Sequence, residues 1–210
     1  MKNICLVAGL LLSHVITQAQ EKNTALFTGG KKKLLGVYNT STFHVMPGTV
    51  SQEFSSIYGT YNKNSPGFSF RNTTGYRFFD ALNLGAGTGI DRFESVALNV
   101  PFYGEISGNI LRRRFTPVYF AQAGYGLGIN ATKKDSPDRI EKAKGGLMLA
   151  AGIGFGGRLD RHTILRINFG YRMQKADYTK NIVYYDGTGY TEIRHMTYHR
   201  VEIGLGFTFQ

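Results

Sequence analysis

The end of the chain alternates strictly between apolar side chains and small or polar ones. From Val201 to Phe209 every second residue is apolar, and Glu202, Thr208 and two glycines stand between them. An alternation with a period of two indicates a β-strand with one apolar face and one polar face. One such strand also fits a soluble sheet, so the pattern constrains the fold only where it recurs.

The alternation recurs upstream, and together these segments predict eight β-strands. Their length, about 12–16 residues, exceeds the 5–6 residues that are usual in globular proteins and is enough for a tilted strand to cross a bilayer. The two faces of the first segment are not distinct enough to orient it. The predicted strands cover residues 34–45, 67–78, 82–93, 96–108, 115–130, 145–158, 163–174 and 197–210.

Residues 1–19 have the pattern of a cleaved secretion signal. Lys2 precedes a short apolar core, and small residues stand before the predicted cleavage site at Gln20. Cys5, the one cysteine in the sequence, lies in this segment, so the predicted mature chain has no disulfide or thiol chemistry. Residues 20–33 are polar and basic, and we interpret them as a flexible lead-in.

The predicted connections are sorted by length. Tight turns join strands two and three, four and five, and six and seven, whereas polar segments at 46–66, 131–144 and 175–191 form long loops; the connection between strands three and four is short. Outer-membrane barrels have short periplasmic turns and longer external loops, and a soluble β-sandwich has no reason for this sorting. Residues 34–210 are therefore predicted to form one all-β, closed, antiparallel transmembrane β-barrel, an up-and-down meander of eight strands, or ten if 54–61 adds two.

Aromatic and large apolar side chains fall near the predicted strand ends, where the girdles of a membrane barrel lie. Those predicted near the tight turns are Tyr76, Phe78, Phe79, Phe115, Tyr119, Phe155, Phe207 and Phe209. Those predicted near the opposite rim are Phe43, Ile90, Phe93, Tyr171 and Tyr178.

The polar faces of the strands are predicted to line the barrel interior. An eight-stranded barrel is only wide enough for side chains to fill it, and buried charges need partners, so a packed network of salt bridges and hydrogen bonds is expected. Glycine columns leave room for the long guanidinium groups. The alternative is a narrow anion-selective path through the same residues. The predicted lumen residues are Arg71, Arg77, Asp91, Glu105, Arg166, Arg172, Arg200 and Glu202.

Four segments resemble the small outer-membrane β-barrel family, the OmpA/OmpX-like eight-stranded type: residues 75–78 (GYRF), 84–91 (LGAGTGID), 123–126 (AGYG) and 204–209 (GLGFTF). The resemblance covers nearly the whole predicted mature chain and implies an integral outer-membrane location. It also implies that Phe207 and Phe209 form the signal read by the barrel-assembly machinery, although Gln210 follows the usual terminal aromatic. The family includes adhesins, structural anchors, narrow pores and a few lipid-modifying enzymes, so it implies function weakly.

No catalytic, cofactor or metal motif stands out. The glycines at 85–89 alternate within a strand, which indicates lumen packing and not a phosphate-binding turn. His44, His195 and His199 are predicted to gather near the external rim, beside Asp186 or Glu192, but without metal-ligand spacing.

The net charge of +11 is dispersed over turns, loops and lumen, and it does not predict nucleic-acid binding. Basic residues at 131–144 are predicted to face anionic lipopolysaccharide, and the favoured alternative is solvated loop charge with no specific partner. The leading hypothesis is a non-enzymatic outer-membrane barrel with a structural or surface-interaction role through the loops at 46–66, 131–144 and 175–191. The alternatives are a narrow porin-like channel for small solutes or anions and, less favoured, a lipid-modifying enzyme.

Overall fold

In the computed structural model of the chain, the residues described are 36–54, 57–93, 97–111, 115–130, 140–160, 162–183 and 189–210. The predicted signal peptide and lead-in lie outside these ranges, and so does most of the connection at 131–139. No helix that could cross a membrane occurs in the part of the chain described.

The described ranges contain eleven β-strands. Eight of them form the barrel wall and three are short additions at one end. The wall strands are β1 (Gly36–Met46), β4 (Gly67–Phe79), β5 (Leu82–Arg92), β6 (Ala97–Asn109), β7 (Phe115–Asn130), β9 (Gly146–Arg158), β10 (Thr163–Val183) and β11 (Gly189–Phe209). The additional strands are β2 (Gly48–Phe54), β3 (Ile57–Asn64) and β8 (Ile140–Lys144).

Every wall strand has two antiparallel neighbours, because the first and last strands pair with each other. β1 pairs with β4 on one side, from Gly36 opposite Arg77, and with β11 on the other, from Asn39 opposite Phe209. The remaining wall strands follow in chain order around the ring, from β4 through β7 to β9, β10 and β11. The predicted closed, eight-stranded antiparallel barrel is confirmed.

One end of the barrel carries short turns and both ends of the described chain; we call it the turn end. The β9–β10 turn there is held by Asp160, whose Oδ1 atom accepts hydrogen bonds from the backbone N–H groups of His162 at 2.6 Å and Thr163 at 2.8 Å. These two hydrogen bonds lower the pKa of the exposed Asp160 carboxyl. The turn is therefore fixed by the charged carboxylate, and this contribution is lost as the pH falls through the lowered pKa.

The opposite end, which we call the hairpin end, differs from the sequence prediction. The segment 46–66 is largely the β2–β3 hairpin, with β2 paired along β11 from Gly48 to Phe54. The segment 175–191 is mostly strand, because β10 and β11 remain paired out to Val183 and Gly189, and β8 adds to β10. The outward side chains of these strands are polar because the strands extend past the barrel wall. The contrast between their two faces is therefore weaker than in the wall, although residues such as Tyr178 and Tyr198 are buried on the inward face.

The side chains of the wall sort by face as the alternation predicts. Outward positions along β9 and β11 carry exposed apolar groups such as Ile153 and Leu205, and inward positions are buried. The predicted girdle is wrong at two positions, since Phe93 and Tyr178 are buried inside the barrel. Both residues share the inward parity of their strands, Phe93 two residues after Asp91 and Tyr178 four residues after Gln174.

Candidate functional site

The eight polar residues predicted to line the lumen are all buried inside the wall, each at most 8% exposed. Arg71 and Arg77 lie on β4. The two strands β10 and β11, which pair with each other, carry four more: Arg166, Arg172, Arg200 and Glu202. The structure does not join all eight in one network. It separates them into a central ion-pair cluster, a glutamine-linked carboxylate, and three arginines without ion pairs to the other predicted residues.

The central cluster contains two arginines and two carboxylates. Arg172 donates to both oxygens of Asp91, at 2.5 and 3.2 Å. Glu202 accepts a hydrogen bond from Arg71 at 2.6 Å and lies 3.6 Å from Arg172, so its Oε1 atom bridges the two guanidinium groups. Ser69 donates to Asp91 at 2.5 Å. The charges of these four ionic groups balance, as buried charges require.

A short chain of hydrogen bonds links this cluster to Glu105. Arg71 donates to Gln122 at 2.6 Å, and the Gln122 amide in turn donates to Glu105 at 2.7 Å. Thr73 and Tyr103 are hydrogen-bonded at 2.8 Å on the same side of the lumen. Gln122 and Tyr103 were not among the predicted site residues, although the alternation of their strands already placed them on the inward face.

Tyr103 fits because glycines stand on both neighbouring strands. It is directly opposite Gly87 on β5 and Gly124 on β7. A Cβ atom at either glycine would lie within 3 Å of Tyr103 side-chain atoms. The glycine columns therefore make room for a tyrosine as well as for arginine, since a Cβ atom at Gly89 would contact Arg71.

Arg172 and Arg200 stand directly opposite each other on β10 and β11, a pairing of like charges. The ring of Phe93 lies close to both, with its centroid 5.4 Å from the Arg172 Cζ atom and 4.4 Å from that of Arg200. Arg200 also stacks over Tyr198 at 4.8 Å and donates to the backbone carbonyl of Ser65. Aromatic faces and a backbone carbonyl therefore contribute to holding the Arg200 guanidinium inside the barrel.

The two remaining arginines lie towards the turn end. Arg77 donates to Asn83 at 3.2 Å and to Gln210 at 2.8 Å. Arg166 stands between Gly156 and Gly206 on its neighbouring strands, and it forms no ion pair or hydrogen bond with the other described residues. It lines a cavity of about 20 Å³ together with Glu105, which is space for about one water molecule.

A buried apolar cluster occupies the lumen at the hairpin end, above the ionic groups. Its side chains come from the ends of β1 and β5 and from β2, β10 and β11, so it depends on the strands that extend past the wall. Phe93 connects it to the ion-pair cluster, because its ring lies against Arg172. The members are Met46, Val50, Phe93, Ala176, Tyr178, Met196 and Tyr198.

The three histidines do not gather as predicted. His44 is buried in the lumen, where it stands opposite Gly204 of β11. His195 and His199 are an odd number of residues from Gly204 on the same strand, so they lie on the outer face of β11. His195 Nδ1 lies 2.8 Å from a carboxylate oxygen of the exposed Asp177, and His199 Nδ1 lies 2.5 Å from the hydroxyl of Tyr171. Within the described ranges, no three metal-binding side chains form a metal site.

Phe207 and Phe209 both point outward from the last strand at the turn end. Phe207 stands opposite Ser41 of β1 and Leu165 of β10, so it occupies the seam that closes the barrel. Their part in assembly remains a prediction.

Replacing Glu202 with glutamine should strongly destabilise the barrel. The substitution keeps the size of the side chain but leaves Arg71 and Arg172 with one carboxylate between them, and unbalancing a buried ion pair costs roughly 3–5 kcal/mol. The free energy of unfolding, measured by urea titration in lipid vesicles, should fall by about that amount. Glu53→Gln, at an exposed position of β2, is the matched control and should change it by less than about 0.5 kcal/mol. Equal effects of the two substitutions would contradict the assignment.

No protein-family model matches the sequence, and no curated protein matches it either. Several solved structures share its fold. The crystal structure of Neisserial surface protein A (NspA) is 13% identical, with 83% of this chain and 98% of that chain covered and a TM-score of 0.51. The outer membrane protein OprG from Pseudomonas aeruginosa is 14% identical, with 87% and 98% covered and a TM-score of 0.51.

The outer membrane protein AlkL, determined by solid-state NMR in DMPC lipid bilayers, is 13% identical, with 90% of this chain and 97% of that chain covered and a TM-score of 0.52. At these identities the similarity concerns the fold. The apolar outer face and the absence of a free edge in the wall are what a barrel needs in hydrocarbon. The chain therefore has the fold of the small eight-stranded outer-membrane β-barrel proteins and is an integral membrane barrel of that kind.

Proposed function

We propose that this barrel is a non-enzymatic protein of the outer membrane that presents an interaction surface outside the cell on strands extended beyond the bilayer. The lumen serves as a packed support for that surface and does not conduct. The hairpin end faces the exterior, and the turn end faces the periplasm, as the sorting of connections in such barrels requires.

The length of β10 and β11 carries this proposal. Each strand has 21 residues, whereas a tilted strand needs about 9–11 to cross the hydrocarbon. About half of each strand is therefore available beyond the membrane. β2 and β8 pair with the protruding half, and β3 pairs with β2. Together they widen the protruding half into a sheet that exposes polar groups such as Glu53, Lys63 and the His195–Asp177 pair.

A porin-like channel for small solutes or anions is the second candidate, because several arginines line the lumen. The ion-pair cluster and the apolar cluster both stand across its path, and the cavity beside Arg166 holds about one water molecule. These contacts favour a sealed interior.

Planar-bilayer recording distinguishes the two candidates. Purified protein inserted in a bilayer should give no steady current above the bare-membrane level, since no continuous aqueous path crosses the packed lumen. A pore-forming peptide added afterwards to the same bilayer verifies that currents are detected. Steady unitary currents from the purified protein would instead support the channel.

An enzymatic role is not part of the proposal. His44, His195 and His199 do not share a site, and the two outer histidines contact Asp177 and Tyr171 separately. Tyr171 lines a largely apolar groove on the outer wall, and neither His195 nor Asp177 lines a described pocket.

Two partners follow from the proposal. Lipopolysaccharide would surround the exterior rim; of the basic residues predicted to face it in the segment 131–144, Lys144 is exposed on β8, and the side chains of the others lie outside the described residues. The barrel-assembly machinery would read the outward-facing Phe207 and Phe209 at the closing seam. No nucleic acid or cofactor is included.

Cysteine labelling tests the surface assignment. The predicted mature chain contains no cysteine, so single cysteines report cleanly. Glu53→Cys on β2 should react with a membrane-impermeant maleimide on intact cells, because its position lies beyond the bilayer. His162→Cys, equally exposed but at the turn end, should react only after the outer membrane is permeabilised. Labelling of His162→Cys alone in intact cells would reverse the orientation and contradict the proposal.

A further inference from the structure

The outer wall of the barrel is interrupted by one group of polar side chains. Between the aromatic residues of the two rims, outward positions of β6, β7, β9, β10 and β11 carry only apolar side chains or glycine within the described residues. The outward positions of β1, β4 and β5 differ. They include five amide or hydroxyl side chains, which we call the polar patch: Asn39, Ser41, Asn72, Thr74 and Thr88.

Strand register makes the patch contiguous. Asn39 stands opposite Thr74, and Ser41 stands opposite Asn72, which in turn stands opposite Thr88. The five side chains therefore occupy two adjacent cross-strand rows without an intervening apolar residue.

The patch lies at the depth of the hydrocarbon. Towards the hairpin end it is bounded by the stacked rings of Phe43 and Phe68, with centroids 6.3 Å apart. Towards the turn end it is bounded by Tyr76 and Phe78, in edge contact at 5.1 Å. Because such rings mark the interfaces of the bilayer, the polar groups between them lie within the hydrocarbon. Asn39 lies nearest the turn-end interface, since it stands opposite Phe209.

Within one barrel the amides satisfy each other. Asn39 and Asn72 donate to each other's side-chain oxygens at 3.0 Å. Asn39 also donates to Thr74 at 2.8 Å, and Asn72 donates to Ser41 at 2.9 Å. All four amide hydrogens therefore donate hydrogen bonds, which lowers the free-energy cost of placing the amides in lipid.

The hydroxyl groups remain open. Ser41 and Thr74 accept hydrogen bonds, but no described acceptor receives their own hydroxyl hydrogens, and Thr88 is exposed without a hydrogen bond to another described residue. The amide oxygens each keep a second lone pair. In hydrocarbon, these donors and acceptors can be matched only by polar groups at the same depth, and acyl chains supply none.

We propose that the polar patch binds the same patch of a second copy of the chain, forming a two-fold dimer within the membrane. The patch carries free donors and free acceptors together, so it is self-complementary, as an isologous interface requires. Polar side chains that hydrogen-bond between neighbouring elements in lipid are a recognised means of association. The inference rests on the fold and is independent of the proposed surface role.

Sedimentation equilibrium in detergent micelles tests the proposal directly. The wild-type barrel should show a reversible monomer–dimer equilibrium, and Asn39→Leu/Asn72→Leu should weaken association at least about tenfold, the equivalent of a few lost polar contacts. Replacing both amides by apolar groups removes donors and acceptors together, so the barrel itself should still fold. The matched control, Ile153→Leu/Phe169→Leu, alters a cross-strand pair on another part of the outer wall and should leave association unchanged.

A second measurement covers the case in which the double variant does not fold. Thr88→Cys should form disulfide-linked dimers when membranes are oxidised, whereas Ile153→Cys, also exposed on the outer face, should not. A wild-type protein that stays monomeric at all concentrations, association that survives loss of both amides, or cross-linking of Thr88→Cys only to a protein of different mass would each overturn the proposal. Labelling of Glu53→Cys tests the proposed surface role, and its outcome does not depend on whether the barrel forms a dimer.

Discussion

A peptide group that faces hydrocarbon has no solvent with which to form hydrogen bonds, and the architecture of this protein depends on that constraint. β1 therefore pairs with β11 as well as with β4, and the wall has no edge within the membrane. Closure divides the side chains into two sets. The outward set contacts lipid and is apolar, except for the polar patch, whereas the inward set is enclosed and can carry charge.

Enclosure determines how the charges are arranged. Eight strands leave too little space for bulk water, so each buried arginine needs a local partner. Arg71 and Arg172 share Asp91 and Glu202, while Arg200 lies against aromatic rings and backbone carbonyls. The interior is therefore occupied by paired side chains, and we propose that the functional surface lies on the paired strands beyond the membrane. The amides of the polar patch follow the same rule on the outside, because their hydrogens are used within the barrel and only the hydroxyl hydrogens and one lone pair on each amide oxygen are left open.

The alternation of side chains was enough to predict the wall, its order and the inward face. It also places Phe93, which has the parity of Asp91, in the lumen and not in a girdle. The separation of His44 from His195 and His199 depends on the register of β1 against β11, in which His44 stands opposite the inward-facing Gly204. The faces of the first strand could not be assigned from the sequence for a physical reason: its outward face carries Asn39 and Ser41, which blur the contrast.

Other features could not be predicted from the alternation of side chains with a period of two. The outer halves of β10 and β11, and β2, extend past the lipid, so their outward side chains are polar and contrast less with the inward ones. A strand there looks like a loop. The hydrogen bonds through Gln122 and the contacts of Phe93 with two arginines depend on which strands are neighbours and on their register. The order of the strands and their register are fixed by closure of the whole ring, and no local segment determines them.

The division of side chains between lipid and lumen can be measured directly, because the chain contains no tryptophan and a single introduced indole is an unambiguous reporter. Phe169→Trp places the indole on the outer face of β10, and Phe120→Trp places it inside the wall on β7. In vesicles whose acyl chains carry bromine, fluorescence of the first variant should be strongly quenched and that of the second should be nearly unchanged. Equal quenching of both, or quenching of Phe120→Trp alone, would contradict the account.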